Sequence, residues 1–248
     1  MNIREMQYAF GQQMNQFNEA LALNSDDIQY WLNKGQLDLV KKKYNGITQD
    51  RRGFEQSQKR IDDLRVLLKR DEELETKYDD KVSGTEGFYV DRADFPNDYM
   101  FLIAHKSVVR YRFPNITFST LGDKRVTSDS SSTIVFNRFS QSDDIYKLLD
   151  DPFNTTKIGS PIAVVNDNSI QVFTDDKFIV DKVIIDYLKI PRRMNIRDNV
   201  DSELPEHLHE DIIQRAVDLF LNNTRELKQR LQRETPASNQ ELKEQDNE

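Results

Sequence analysis

The chain has 248 residues, 37% hydrophobic and 31% charged, with a formal charge of −8 and no cysteine. That is enough apolar material for one large core or two small ones, while the missing cysteines exclude disulfides and thiolate chemistry. An acidic chain is poorly suited to tight nucleic-acid binding, which needs clustered Lys and Arg, and no apolar run approaches the roughly 18 residues of a membrane span.

From the start, "MNIREMQYAF" lacks the basic-then-apolar pattern of a secretory leader. Ile3, Met6, Phe10, Met14, Phe17 and Leu21 recur every three or four residues and predict a helix with one narrow apolar stripe. Asn24 and Ser25 offer caps for a second helix carrying Ile28, Trp31, Leu32, Leu39 and Val40, with a stop at Asn45-Gly46. The short connection predicts an antiparallel pair, with Tyr30 and Trp31 joining Phe10, Phe17 and Tyr44 in an aromatic core. A third helix is expected from near Phe54 through Ile61, Leu64, Leu67 and Leu68, leaving through the acidic, solvated stretch "RDEELETKYDD".

Near Val82 the pattern changes. "MFLIAHKSVVRYRF", "STIVFNRF", "SPIAVV", "SIQVFT" and "KVIIDYLKI" are rich in β-branched and aromatic residues and predict strands. "VVNDNSIQVF" reads as a hairpin, and "SDDIYKLLDDPF" as a short helix capped by Ser142 and ended before Pro152. After Pro191 helix returns, with Pro205 in its first turn, Leu208, Ile212, Ala216, Leu219 and Phe220 at helical spacing, and Arg225, Lys228, Arg230 and Arg233 toward its negative end. The expected fold class is α+β, a helical bundle from both chain ends with a mostly antiparallel β domain inserted. The boundaries run 1–80 for the N-terminal helical segment, 81–200 for the β domain, 201–234 for the C-terminal helix and 235–248 for a disordered polar tail.

Candidate chemistry is thin. His207 and His209 are two residues apart and so point to nearly opposite sides of a helix, whereas helical metal pairs are four apart. They read as capping or surface side chains, and His105 has no partner nearby in sequence. Asp143, Asp144, Asp150 and Asp151 bracket the short helix, and Asp175-Asp176 form another pair, but no calcium-loop spacing surrounds them and they read as solvated turns. No nucleophile elbow, phosphate loop or dinucleotide fingerprint occurs. No catalytic residue, metal or cofactor is expected. Two basic clusters remain: Lys41, Lys42 and Lys43 at a helix end, and Arg192, Arg193 and Arg197 after the last strand. Charge placed at element ends makes these the candidate interface residues.

"IREMQYAFGQQMNQFN" followed by "DDIQYWLNKGQLDLVKKKY", then "VIIDYLKIPRRM" and "ELPEHLHEDIIQRAVDLFL", occur in this order. Over about residues 1–45 and 183–232 the chain resembles the ring proteins of the head–tail connector in crAss-like tailed bacteriophages. The resemblance implies a structural virion protein that is not an enzyme. It implies subunits closing into a ring, usually twelvefold, below the portal, extending the channel through which DNA passes without sequence-specific binding. The expected partners are further copies, the portal and adjacent ring or tail proteins, with no membrane. Assembly would take place in the host cytoplasm. The alternatives are a phage-encoded metal-dependent hydrolase or nuclease working through Asp143 and Asp144, and a monomeric adaptor.

Overall fold

The computed structural model describes residues 1–16, 23–45, 59, 61–79, 89–112, 132–166, 169–175 and 177–226. Phe17, Leu21, the stop at Gly46, the helix start near Phe54, the hairpin tip at 167–168, the basic residues from Lys228 and the tail at 235–248 lie outside them. The chain is α+β and divides into two compact units, Met1–Leu67 with Ile190–Glu248, and Leu68–Lys189.

The first unit is helical. Helix α1 (Ile3–Gln16) buries Ile3, Met6, Phe10 and Met14, the stripe their spacing predicts. Helix α2 (Ser25–Asn45) buries Ile28, Trp31, Leu32, Leu39 and Val40. Both open on an asparagine whose side chain accepts the amide of the acid three residues on, Glu5 N to Asn2 Oδ1 at 2.9 Å and Asp27 N to Asn24 Oδ1 at 2.8 Å. The acid returns a bond to the asparagine amide in each case, a reciprocal cap contributing about 1 kcal/mol. A helical turn α3 at 61–64 runs into a 3₁₀ turn at Arg65–Leu67. At the other chain end a 3₁₀ turn, Glu206–Leu208, leads into a helix at 209–226, called α5 below.

Phe220 of α5 meets Phe10 of α1 edge-on at 6.5 Å and Trp31 of α2 at 5.5 Å, so one ring joins three helices. Where α2 crosses α5, a Cβ at Gly35 would stand 2.9 Å from both the Ala216 amide nitrogen and the Ile212 carbonyl oxygen. Only glycine permits that approach. Arg215 of α5 also pairs with Asp38 of α2.

A polar stripe on α2 then holds residues 192–197, called the strap below, which run into a turn at 196–199 closed by the Asn195–Val200 bridge. Gln36 Nε2 donates to Arg192 O at 3.1 Å, and its Oε1 accepts from Ser202. Asn33 donates to Met194 O at 3.0 Å and accepts from Met194 N at 2.8 Å. Gln29 accepts from Ile196 N, and Asp26 pairs with Arg197 at 2.6 Å. Residues 26, 29, 33 and 36 share one helix face; Gln29, Asn33 and Gln36 satisfy backbone groups of the strap as a neighbouring strand would, and Asp26 takes the Arg197 guanidinium.

The second unit is β1 (Leu68–Asp79), β2 (Tyr89–Asp94), β3 (Tyr99–Tyr111), β4 (Thr133–Phe136), β5 (Arg138–Phe139), α4 (Ile145–Asp150), β6 (Ile162–Asn166), β7 (Ser169–Thr174) and β8 (Phe178–Lys189). The strand order is β4-β3-β8-β1-β2-β7-β6-β5, and β5 with β6 is the parallel pair among antiparallel ones. The two end strands, β4 and β5, are one stretch of chain interrupted at Asn137. Its first part pairs with β3, Val108 opposite Ile134, and its second with β6, Arg138 opposite Ile162. The sheet therefore closes into a barrel. The opposite corner is β1, which pairs with β8 through Glu75 and with β2 from Thr76. The Thr76 hydroxyl donates toward the Val180 and Asp181 carbonyls there, at 2.6 and 3.0 Å.

Leu74, Ala93, Val109, Val135, Ala163, Ile170, Val172 and the inward residues of β8 fill the interior. Those of β8 are Phe178, Val180, Val183, Ile185 and Tyr187, and the three-residue step falls where pairing with β3 skips a residue. Outside the barrel, Ile145 and Leu149 of α4 cover Ile162, Val164 and Phe173.

Two expectations are corrected. "RDEELETKYDD" is not a helical exit, because strand β1 begins at Leu68 and a bulge near Asp71, at φ 52°, breaks its alternation. Helix α4 is preceded by Asp144 rather than capped by Ser142, whose hydroxyl donates to Asn166 Oδ1 instead.

The crossing at Gly35 yields the first prediction. Gly35→Ala forces α2 and α5 apart and lowers stability by about 1–3 kcal/mol, read as a lower midpoint in thermal or urea unfolding.

Candidate subunit interface

The two basic clusters fall in the helical unit, and the structure separates their members by what they already touch. Lys43 is committed within the chain. Its Nζ donates to Asp63 Oδ2 at 2.6 Å, and His207 Nε2 donates to the other oxygen, Oδ1, at 2.7 Å. Asp63 itself has a side chain only 2% exposed, so one carboxylate in α3 ties together the end of α2 and the turn that starts α5. Burial alone would raise the Asp63 carboxyl, yet hydrogen bonds from Lys43 and His207, with their charge, hold it below its ordinary value. Arg197 is also spoken for, by Asp26.

Lys41, Lys42, Arg192 and Arg193 are exposed, and their side chains make no ion pair with the described residues. Arg192 and Arg193 stand on the strap that α2 holds through Gln36 and Asn33, with Arg192 N also donating to Glu203 at 3.2 Å. Met194, next in line, is fully buried and anchors the strap. A pair of guanidinium groups on a backbone already fixed loses little freedom on meeting a carboxylate partner. Sequence reasoning found these arginines. It missed the Asp26, Gln29, Asn33 and Gln36 stripe that presents them, although four amide or acid side chains at helical spacing were its visible signal.

The histidines take structural places. His209 is buried and donates Nε2 to Leu204 O at 3.0 Å. His105 lies in β3 opposite Ile185, and burial pushes its imidazole below the ordinary value. Asp143, Asp144 and Asp150 are exposed around α4, and Asp144 stands near Lys147 at 3.5 Å. Asp151 accepts from Phe153 N and from the Asn154 side chain, a turn-forming role that lowers its carboxyl. Among the described residues no three His, Asp or Glu side chains converge as metal ligands would, and no helix is long and apolar enough to cross a membrane.

Large apolar side chains are exposed in both units. Ile134 and Phe136 on β4 are 60% and 69% exposed, and the Lys106 amine lies over the Phe136 ring at 5.9 Å. An open concavity of about 520 Å³ beside α4 is lined by Phe139, Ser140, Gln141, Asp144, Lys147 and Leu148.

A family model described as "Phage tail ring protein 3/4" matches residues 1–230. No curated protein matches the chain.

The Asp63 junction makes a pH-dependent prediction. A carboxyl held low when folded contributes stability above its unfolded pKa, and that contribution is lost as pH falls through the folded value. Asp63→Asn therefore costs about 3 kcal/mol at neutral pH, where it strands the Lys43 charge. The gap from the parent chain closes below the ordinary carboxyl value of 3.8, which denaturant unfolding at neutral and acid pH measures.

Proposed function

Because the chain belongs to the phage tail ring protein 3/4 family, we propose that this structural tail ring protein of crAss-like phages closes into a ring of roughly twelve copies by head-to-tail contacts. The ring sits in the connector below the portal, extends the DNA channel and acts as scaffold rather than enzyme. The observation that carries this reading is the family match across nearly the whole chain. The charge of −8 per copy supports the conduit role, since an acidic ring repels DNA phosphates and lets the duplex slide. Assembly in the host cytoplasm, before incorporation in the virion, belongs to the same proposal.

Arg192, Arg193, Lys41 and Lys42 are assigned to contacts with the neighbouring copy or the portal, while Lys43 and Arg197 hold their own subunit together. An exposed arginine pair on a pinned strap is suited to a carboxylate surface on another chain.

Native mass spectrometry across concentration, alone and with the portal of the same phage, tests the ring. A closed oligomer near twelve copies is expected, and a monomer that ignores the portal overturns the proposal. Charge reversal by Arg192→Glu with Arg193→Glu is expected to weaken ring or portal association by about tenfold or more while leaving the melting temperature unchanged. Association at the parent level removes these arginines from the contact.

A further inference from the structure

Where the barrel closes, it carries buried polar side chains that the described part of the chain does not satisfy. Among the described residues seven buried side-chain nitrogen or oxygen atoms have no hydrogen-bond partner, and four of them belong to His105 (Nδ1), Ser107 (Oγ) and Asn137 (Nδ2 and Oδ1). The other three, in Thr155, Thr174 and His209, lie on other elements. Thr156 shows the usual solution, donating to Phe173 O at 2.6 Å and accepting from Ile162 N at 3.2 Å.

Strand alternation and register draw the four atoms together. Ser107 is fully buried, opposite Val135 and two residues from Val109, both of which belong to the barrel interior, and alternation along β3 turns His105 the same way. The β3–β4 register pairs Lys106 with Phe136, and one further rung sets His105 beside Asn137. The His105 ring also lies 6.1 Å from that of Phe139, two residues past Asn137. There the ladder with β3 ends, because Arg138 N turns to Pro161 O at 2.7 Å.

The set holds no carboxylate, and burial lowers the His105 imidazole so that it stays neutral. Its groups therefore offer donors and acceptors without charge. A small neutral molecule that donates and accepts at once fits them, whereas a hard cation wants carboxylate oxygens. Leaving such atoms unbonded is costly, and a buried water makes about two to four hydrogen bonds. We infer that structural water, roughly one or two molecules, is built into the barrel interior at His105, Ser107 and Asn137, bridging the rung that the ladder loses where the sheet closes.

A high-resolution crystal structure of the full chain tests this. Density for ordered water within about 2.6–3.2 Å of Ser107 Oγ and of the Asn137 amide or His105 Nδ1 is expected. A dry interior in which the three side chains bond one another, or a bound ion in the same density, overturns the inference. Ser107→Ala gives a second reading in solution. Removing a hydroxyl that water satisfies leaves that water one bond short, and the thermal unfolding midpoint is expected to fall by about 2–4 °C. An unsatisfied hydroxyl would instead be better lost, so a midpoint that stays or rises overturns the bridge at Ser107.

Discussion

The helical unit depends on how α2 serves two partners from adjacent faces. At Gly35 it lets α5 approach to backbone contact. One stripe away, Asp26, Gln29, Asn33 and Gln36 bond the strap at 192–197. The second set matters most, because apart from the Asn195–Val200 bridge no strand among the described residues pairs with the strap. Without those side chains its amides and carbonyls would be stranded against the helix, at a cost of about 1–3 kcal/mol per buried group. With them, the strap is as fixed as a strand, and Met194 is carried into the core. The arginines on the strap inherit that rigidity.

Closure plays the corresponding part in the β unit. An open sheet of this length would leave two edges able to pair with other chains. One chain segment changes neighbours at Asn137 and thereby joins both ends of the sheet, while β1 changes neighbours at Thr76 on the other side. Each change interrupts a ladder. At Thr76 the side-chain hydroxyl reaches the freed carbonyls. At Asn137 the buried side-chain amide has no hydrogen-bond partner among the described residues, and neither have Nδ1 of His105 and the hydroxyl of Ser107, which lies opposite Val135 on the neighbouring strand.

Much of this was legible in residue order. The helical stripes of α1 and α2, the capping asparagine before α2, the hairpin between β6 and β7 and the helix after Pro205 all follow from local spacing. Strand β1 did not, for a physical reason. Of its side chains Leu74 faces the core, while its Glu and Lys residues are good helix formers. Pairing with β8 overrides that preference, and alternation is further broken by the bulge at Asp71. Strand β2 contributes Ala93 to the interior and was equally silent. The interface candidates were found by charge alone. Charge could not reveal that Lys43 and Arg197 pair with Asp63 and Asp26 of their own chain, because these acids are distant in residue number and become neighbours only through folding.

Leu68 and Leu188 are opposite each other at one end of the β1–β8 pair. The chain thus enters and leaves its β unit on a single rung. The contact of Asn33 with Met194 spans 161 residues, a separation that makes direct closure slow from an unfolded chain. Once the barrel has formed, the two strands of the helical unit's interrupted chain emerge side by side, and the effective loop shrinks to the few residues flanking that rung. In loop-closure terms, a chain whose β1–β8 rung is already paired has a far shorter gap to close between the two halves of the helical unit.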